Sequence, residues 1–286
     1  MPPAAVREER ATEPSSLLVG CGGAGKNILA SASGKRKITV DSVEADIRLD
    51  RSAISVAETD FSLIAAANPP FYARIRKEIE AVDVVFIVAG MGGFAGGVAS
   101  SAVARAARAS GKTVIASVAL PFDVEGPVRR TSARKSLEAL ASAANVTVPF
   151  ENNIINHTMS NVRITRALAI MNRIVLSPIE EIMQYADTDF IDGLRRTRRR
   201  GIYAVSRTSG LDWERKGAHS ILSEIGENTK HLKELNLFLG MNTGMDDSAE
   251  RLGNEVARHI SGCRVTVWIK GGMQEGENRI GALGFF

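Results

Sequence analysis

Two glycine-rich segments of this sequence have the composition of loops that bind phosphate. Residues 20–27 are GCGGAGKN and follow an apolar run, and residues 90–98 are GMGGFAGGV and follow another. Glycines let backbone amides approach a diphosphate, and the N-terminus of a following helix adds a positive dipole. Two such loops, each after a strand of the same sheet, predict a phosphate chain that is contacted from two sides. The alternative is that the glycines only let the loops pack against helices.

The first loop, taken alone, also fits the dinucleotide site of an oxidoreductase. That class has an acidic residue at the end of the second strand and a second half-sheet, and we identify neither clearly in this sequence. A P-loop is excluded because it requires Ser or Thr after the lysine, whereas Asn27 follows Lys26. No acid–base pair supports dehydrogenase chemistry, so the oxidoreductase is the weaker alternative.

Two charged clusters lie close together later in the chain. ADTDFID, residues 186–192, contains three aspartates, and RRTRRR, residues 195–200, contains five arginines. The aspartates either take part in chemistry or simply cap and solubilise the start of a helix. The arginines indicate a solvated helix end or loop, or a contact with phosphate, a partner or an acidic membrane.

Strands and helices must alternate to position these segments. Unbroken apolar strands such as DVVFIVAG indicate a parallel sheet that is covered on both faces. The predicted fold class is α/β, with a Rossmann-like parallel-sheet nucleotide-binding domain, a long central helix and a smaller α+β C-terminal domain. The expected parts are a disordered N-terminal arm over 1–14, the nucleotide-binding domain over 15–158, the central helix with the acidic loop over 159–200 and the C-terminal domain over 201–286. Pro178 is expected to kink the central helix or to begin a second segment.

Composition excludes several classes of protein. The chain has 286 residues, of which 44% are hydrophobic and 24% charged, as is ordinary for a soluble globular protein. Its formal net charge of +4 is too small to argue for nucleic acid as a partner. Cys21 and Cys263 lie far apart and outside any CxxC pair, so we expect neither a metal site nor a disulfide framework. No apolar run is long enough for a transmembrane segment, and we expect a cytoplasmic protein.

Several segments, in this order, resemble the tubulin/FtsZ superfamily, and FtsZ more than tubulin. GCGGAGKN is similar to the first nucleotide loop of that family, and AGMGGFAGG is similar to its signature AGMGGGTGTG. ADTDFID resembles the acidic synergy loop, Asn-x-Asp-Phe-x-Asp, and AAANPP resembles the Ala-Asn-Pro loop near the terminal phosphate. Two further similar segments are ALPFDVEGPVRR, which matches a Pro-Phe-x-x-Glu-Gly loop, and the closing hairpin over 264–286. The resemblance covers residues 15–286.

The resemblance implies a binding site for GTP or GDP. The residues implied in that site are Gly22, Gly23, Ala24, Gly25, Asn27, Ala67, Asn68, Gly92, Gly93, Phe94, Ala95, Gly96, Gly97, Glu125, Arg129, Asn152 and Asn172. Among them, Glu125 and Arg129 would contact the ribose. Asn172 would read the guanine edge, or is otherwise a solvent-facing position of the central helix. Either Asn152 or Asn153 would be the partner amide.

The resemblance also implies how GTP would be hydrolysed. Asp189 and Asp192 would enter the nucleotide pocket of the next subunit and polarise the attacking water. They would also help to order Mg or a monovalent cation at the subunit interface. The chain would then be a GTPase that depends on self-assembly, with itself as partner in a head-to-tail homopolymer and a role in cell division. Residues 201–286 would be its C-terminal activation domain.

Some positions depart from the family pattern. Both threonines of the signature are absent, and Phe94 and Val98 stand where the family has glycine. Phe94 either turns into the sheet–helix interface or turns into the cleft and blocks it. The asparagine of the acidic loop is replaced by Asp187. These departures favour an alternative, a filament-forming or regulatory structural relative with weak or no GTP hydrolysis. Because Phe286 directly follows the last predicted strand, we expect no C-terminal tail for membrane adaptors.

Overall fold

The structure is a computed structural model that describes residues 4–7, 13–33, 36–50, 68–152, 164–241, 246–271 and 278–286. The strands within these ranges are β1 Ala5–Arg7, β2 Ser16–Cys21, β3 Lys37–Asp41, β4 Ile47–Arg48, β5 Val84–Gly90, β6 Thr113–Leu120, β7 Val146–Glu151, β8 Arg199–Thr208, β9 Glu234–Met241, β10 Arg264–Gly271 and β11 Asn278–Phe285. The α-helices are α1 Gly22–Ala30, α2 Pro69–Glu80, α3 Phe94–Ala109, α4 Pro127–Ala143, α5 Ile164–Tyr185, α6 Thr188–Arg195, α7 Trp213–Ile225 and α8 Asp246–His259. Two short 3-10 helices occupy Asp123–Glu125 and Gly226–His231.

The larger of two compact units contains a parallel sheet. This unit comprises Pro14–Glu180 and Thr188–Arg199, and its strand order is β7-β6-β5-β2-β3-β4 with every neighbouring pair parallel. Every β5 residue from Val84 to Ala89 is at most 1% exposed, so both faces of that strand are covered. The predicted α/β fold class with a parallel sheet is confirmed.

Parallel pairing brings the carboxyl ends of four strands to one edge of this sheet. Cys21 at the end of β2 pairs with Ala89 of β5, and Leu120 at the end of β6 pairs with Glu151 of β7. β5 and β6 are in the same register. The glycine segments after β2 and β5 and the segments after β6 and β7 therefore leave the sheet together, at what we call the loop edge. Ligands of open α/β sheets bind at such an edge.

The smaller unit contains a mixed sheet and two helices. It comprises Met1–Glu13, Glu181–Asp187 and Arg200–Phe286. Its strand order is β1-β10-β9-β11-β8, with β11 antiparallel to both neighbours and β10 parallel to β9. Helices α7 and α8 contribute Ile221 and Leu252 to a core that also contains Leu237 of β9. The predicted α+β character of the C-terminal part is confirmed.

Strand β1 is a difference from the sequence-based expectation. The polar composition of residues 1–14 predicts a disordered arm, but Ala5–Arg7 form a strand that pairs in parallel with β10. Backbone pairing at the open edge of the sheet outweighs the polar composition of this segment, so the expectation of disorder is wrong for these three residues.

Helix α5 differs from expectation at Pro178. The helix runs unbroken from Ile164 to Tyr185 with Pro178 inside it, so the second segment that the proline predicts does not form. An interior proline costs a helix about 3 kcal/mol. Val175, Leu176 and Ile179 around it are at most 1% exposed, and their burial offsets that cost.

The last turn of α5 is part of the smaller unit, and a buried carboxylate on it contacts two strands of that unit. The Glu181 side chain is 1% exposed and accepts hydrogen bonds from the Tyr203 hydroxyl at 3.3 Å and from the Arg279 guanidinium. Gly281 makes room for it, since a Cβ there would lie 2.7 Å from Glu181 Oε1. These contacts fix the segment that leads into α6.

The acidic segment forms a helix where a loop is predicted. Phe190, Ile191 and Leu194 of α6 are at most 8% exposed, and their spacing gives the helix one buried face. Asp189 and Asp192, three residues apart, lie on the exposed part of the helix. Helix formation thus fixes the two carboxylates on a rigid element.

Candidate functional site

Several glycines of the two loops are required because the backbone leaves no room for a side chain. A Cβ at Gly22, whose φ is +72°, would lie 2.7 Å from the amide nitrogen of Gly96. A Cβ at Gly96 would lie 2.5 Å from the carbonyl oxygen of Gly90, and one at Gly25 would lie 2.6 Å from that of Val88. The two loops therefore contact each other backbone to backbone, and packing alone accounts for these glycines.

Gly23 and Gly93 are different, because packing does not require glycine at either position. Among the residues that the structure describes, no atom lies within 4 Å of a Cβ added to Gly23 or to Gly93. Gly93 has φ −83° and ψ 148°, which any residue adopts. Each loop thus has one glycine that faces open space, as phosphate binding by backbone amides requires.

Helices α1 and α3 begin side by side, and no side chain caps either N-terminus. Their N-cap residues are Cys21 and Gly93, and neither first turn contains an acidic residue. The first N–H groups of a helix have no partner within the helix, and the helix dipole favours an anion beside them. The N–H groups at the starts of both helices therefore lie side by side at the loop edge, an arrangement that would favour an anion.

The hydroxyls of Ser100 and Ser101 do not replace the threonines that the signature lacks. Ser100 and Ser101 of α3 each donate a hydrogen bond to the Gly97 carbonyl oxygen at 3.1 Å, so both hydroxyl protons are used within the helix. Phe94 is the first residue of α3, but its side chain lies outside the described part of the structure, so both orientations of it remain predictions. A phosphate at this site would be held mainly by amides.

The start of α4 lies against the second loop. A Cβ at Gly92, whose φ is +83°, would lie 2.8 Å from the Arg129 carbonyl oxygen. The Arg129 side chain pairs with Glu125, with 3.0 Å between Nε and Oε2, and the other Glu125 oxygen accepts the Phe122 N–H at 2.8 Å. The structure therefore brings Glu125 and Arg129 together beside the glycine loop, as a joined pair.

The remaining loop positions lie in the first turns of the same helices. Ala24 and Asn27 are exposed on α1, and Ala95 is half-buried in α3. A Cβ at Gly97 would come within 2.7 Å of the Ser136 Cβ on α4, so Gly97 is a packing glycine. The predicted phosphate-loop residues are thus brought together at the loop edge.

Two amides near this edge have polar atoms without a hydrogen-bond partner among the described residues. Asn68 is 6% exposed with an unpaired Nδ2, and Asn152 has an unpaired Oδ1. Asn68 precedes α2, whose other end leads into the start of β5, and Asn152 follows β7. Unpaired buried groups of this kind cost about 1–3 kcal/mol each, so they fit a ligand that supplies an acceptor and a donor.

Two predicted contacts lie outside the described residues, and one is only partly defined. Ala67 and Asn153 are not among the residues that the structure describes. Asn172 is half-buried in α5, one turn before Val175, whose carbonyl oxygen accepts the Ser117 hydroxyl of β6 at 2.5 Å. Asn172 therefore lies on the part of α5 that contacts the parallel sheet.

A lysine of the first loop is tied to the end of β3, a feature that the sequence-based interpretation missed. Asp41 ends β3, so an acidic residue does end the second strand of the parallel sheet, which corrects the expectation that none does. Its Oδ2 lies 2.9 Å from Lys26 Nζ, and its Oδ1 accepts the Ser42 N–H at 2.7 Å. Burial opposes ionisation of Asp41, but the hydrogen bonds from Lys26 and Ser42 outweigh it and hold the pKa below its usual range. Asp41 is only 4% exposed, whereas the Glu125 side chain is 26% exposed, so Asp41 is the less accessible of the two to a ribose.

The acidic helix lies at the opposite edge of the same sheet. The Thr113 hydroxyl, at the start of β6, donates to the Ile191 carbonyl oxygen at 3.2 Å. The Asn145 amide, directly before β7, donates to the carbonyl oxygens of Leu194 at 3.0 Å and Arg195 at 2.6 Å. These bonds fix α6 at the amino ends of β6 and β7.

The length of the strands separates the aspartates from the glycine loops. β6 has 8 residues, and a strand of that length rises roughly 23 Å. Asp192 is 52% exposed, and its Oδ1 lies 2.9 Å from Arg195 Nη2. Since an aspartate side chain reaches only a few ångströms, Asp189 and Asp192 cannot contact a phosphate at the loop edge of their own chain.

Other kinds of chemistry find no support in the part of the chain that the structure describes. It contains no group of three or more His, Cys, Asp or Glu side chains placed to hold a metal ion. None of its helices is long and apolar enough to cross a membrane. Burial, and then the charge of Asp41, raise the pKa of the Cys21 thiol far above its usual range, so this cysteine beside the first loop is not a nucleophile.

Comparisons with known proteins agree with this fold. Residues 70–160 match the family model described as Tubulin/FtsZ family, GTPase domain. The chain is 27% identical over 230 residues to cell division protein FtsZ 1 of Halobacterium salinarum, across 73% of this chain and 58% of that protein. The structure resembles an FtsZ dimer of M. jannaschii, with a TM-score of 0.76, 18% identity and coverage of 96% of this chain and 89% of that one. It also resembles CetZ2 of Haloferax volcanii in a GTPγS-bound protofilament, with a TM-score of 0.72, 14% identity and coverage of 95% and 93%.

The fold is that of an α/β protein with two glycine-rich loops at the loop edge of a parallel sheet. The match over residues 70–160, the FtsZ relatives and the FtsZ and CetZ structural neighbours together support membership of the tubulin/FtsZ superfamily. The matched part spans little more than half the length of the Halobacterium relative, at 58%.

Proposed function

We propose that this chain is an FtsZ-like cytoskeletal GTPase that binds GTP and GDP at the loop edge and polymerises head to tail. The observation that carries the proposal is that the glycine loops and the acidic helix lie at opposite edges of one sheet. A site built from both must join two copies of the chain, with α6 of one copy at the loop edge of the next. A cytoplasmic location and a role in cell division are part of the same proposal.

The phosphates are bound by the amides at the starts of α1 and α3. Gly23 and Gly93 face the open space that the phosphates occupy. The other residues of the proposed phosphate site are Gly22, Ala24, Gly25, Asn27, Ala67, Gly92, Phe94, Ala95, Gly96 and Gly97. Asn68 lies at the terminal phosphate, where its unpaired Nδ2 donates a hydrogen bond.

The nucleoside is recognised by side chains that follow β6 and β7 and by α5. The joined pair of Glu125 and Arg129 contacts the ribose, since a carboxylate accepts hydrogen bonds from hydroxyls. Asn172 reads the guanine edge with an amide that is both donor and acceptor. The unpaired Oδ1 of Asn152 supplies the acceptor that a guanine N–H group needs.

Hydrolysis uses Asp189 and Asp192 of the neighbouring copy. They orient and polarise a water, and one of the carboxylates accepts its proton. The water oxygen attacks the terminal phosphorus while the bond to the bridging oxygen breaks, and that oxygen leaves on GDP with the electron pair. Mg²⁺ is usually bound by one or two carboxylates together with substrate phosphates. The two aspartates therefore fit Mg²⁺ or a monovalent cation only when a nucleotide is present, and the cation would neutralise charge on the phosphates.

The nucleotide preference tests this proposal. We expect GTP or GDP to co-purify with the protein, and stripped protein to bind either of them at least about 100-fold more tightly than ATP, since a site of paired hydrogen bonds rejects the wrong base strongly. Calorimetric titration with GTP, GDP, ATP and NAD measures this. Binding of NAD with an affinity equal to that of GTP would contradict the proposal and favour the oxidoreductase.

A second candidate is a filament-forming or regulatory relative with weak or no hydrolysis. The internal hydrogen bonds of Ser100 and Ser101 favour it, because no hydroxyl there substitutes for the absent threonines. Sedimentation in GTP, in GDP and without nucleotide distinguishes the two. Equal filament yield in all three conditions without phosphate release would favour the second candidate, whereas GTP-dependent filaments favour the first.

A further inference from the structure

Strand β1 packs against the rest of the smaller unit through specific contacts. The Ala4 N–H, next to the strand, donates to Asn254 Oδ1 at 3.1 Å. Gly253 in the interior of α8 admits the Ala4 methyl, since a Cβ at Gly253 would lie 2.6 Å from it. Glycine is unfavourable inside a helix, and close approach of the N-terminal segment explains its presence here.

Arg7 at the end of β1 connects this strand to a buried carboxylate. Its guanidinium lies over the Trp268 ring, 5.3 Å from the centroid, and the Trp268 indole N–H donates to Asn236 Oδ1 at 3.0 Å. Arg7 Nη1 lies 3.7 Å from Asp187 Oδ2. The Asp187 side chain is only 2% exposed. The Trp268 ring, fixed by its hydrogen bond to Asn236, therefore holds the Arg7 guanidinium close to the Asp187 carboxylate.

Asp187 lies directly before the acidic helix α6. It immediately precedes Thr188, the first residue of α6, and stands two residues before Asp189. The family pattern has a neutral asparagine at this position. A buried carboxylate is costly unless charged or polar groups compensate it, and the N-terminal strand supplies a cation through Arg7.

We propose that Arg7 is a positioning residue, which acts through Asp187 to hold the backbone that enters α6. The consequence for hydrolysis rests on the proposed function, whereas the effect on α6 itself does not. Asp187 and Arg7 then act as one interacting pair. Replacing Arg7 should therefore have a smaller effect when Asp187 is also replaced by a neutral residue.

The test compares Arg7→Gln, Asp187→Asn and the double variant, with Arg258→Gln as control. Arg258 pairs with Glu255 on the surface of α8, so its loss should change neither readout. Arg7→Gln should lower GTP turnover at saturating GTP by about tenfold, because the buried Asp187 carboxylate loses a cationic partner. The dissociation constant for GDP should stay within about twofold, because the substitution lies away from the glycine loops. Adding Asp187→Asn should restore turnover to within about threefold of wild type, because a neutral amide needs no cation. Arg7→Lys, which keeps the charge, should retain most of the turnover.

Hydrogen–deuterium exchange gives a readout that does not depend on GTP turnover. Amides of residues 188–195 should exchange about tenfold faster in Arg7→Gln and return toward wild-type rates in the double variant, while amides of α7 stay unchanged. If the wild type releases no phosphate, the proposed function fails, and exchange alone decides the role of Arg7. Unchanged exchange over 188–195 in Arg7→Gln, or equal defects in the single and double variants, would overturn the inference even if the GTPase activity is found.

Discussion

Asp192→Ala should lower GTP turnover at saturating GTP by about 100-fold or more and leave GDP affinity of the unassembled protein within about twofold. Asp192 is half-exposed on α6, at the edge of the sheet away from the glycine loops, so its loss does not touch the nucleotide pocket of its own chain. The variant removes a carboxylate that polarises water in the neighbouring pocket. Phosphate release and fluorescence titration with labelled GDP measure the two quantities.

Arg195→Ala is the matched control for this variant. It breaks the same ion pair, which joins Asp192 Oδ1 and Arg195 Nη2 at 2.9 Å, but keeps the carboxylate. An exposed ion pair contributes at most about 1 kcal/mol, so both variants should fold. Arg195→Ala should retain most of its turnover. An equal loss in the two variants would show that the ion pair, rather than the carboxylate, is what hydrolysis requires.

Gly93→Asp should change stability and nucleotide affinity in opposite directions. Gly93 is the N-cap of α3, has the extended backbone of an ordinary N-cap and has open space at its Cβ. An aspartate there should accept hydrogen bonds from the first-turn amides, which adds a few tenths of a kcal/mol, and its charge should interact favourably with the helix dipole, so the free energy of unfolding should rise by about 0.5–1 kcal/mol in all. Its carboxylate should then occupy the amides that bind phosphate and repel the nucleotide, which should lower affinity by at least about 100-fold. Urea unfolding without nucleotide and GDP titration measure these effects.

Two alanine substitutions separate the possible causes. Gly93→Ala adds the same Cβ without the carboxylate, so it should change affinity far less than Gly93→Asp. Gly96→Ala places a Cβ 2.5 Å from the Gly90 carbonyl oxygen and should cost about 1–3 kcal/mol of stability through overpacking. Parallel losses of stability and affinity in Gly93→Asp would mean that the α3 amides are not free to bind an anion.

The strand and glycine patterns were sufficient to predict the parallel sheet and the position of its loops. Apolar runs such as 84–89 are buried on both faces, and the unbroken apolar composition of the run predicts this burial. The same pattern could not separate glycines by role. Gly22 must be glycine because the Gly96 backbone leaves no room for a Cβ, whereas a Cβ at Gly93 would face open space. This distinction depends on contacts between loops some seventy residues apart in sequence.

The sequence-based interpretation was weakest where long-range contacts decide the local structure. Polar composition predicts a disordered N-terminus, but pairing with β10 makes Ala5–Arg7 a strand. The acidic segment has a helical spacing of Phe190, Ile191 and Leu194 that was detectable in the sequence, yet its three aspartates favour a loop. The sequence indicates the ion pair of Lys26 with Asp41 only weakly, by a lysine in the loop and an acidic residue at the end of a strand.

Mixing two inactive variants tests most directly whether two copies share one site. Asp192→Ala has an intact loop edge without the catalytic carboxylate, and Gly93→Asp has an intact α6 without nucleotide binding. In a head-to-tail contact, α6 of a Gly93→Asp copy lies at the loop edge of an Asp192→Ala copy. An equal mixture should release phosphate at about one quarter of the wild-type rate, since a quarter of random contacts pair an intact pocket with an intact helix. Phosphate release equal to the sum of the two separate variants would contradict a site shared between copies.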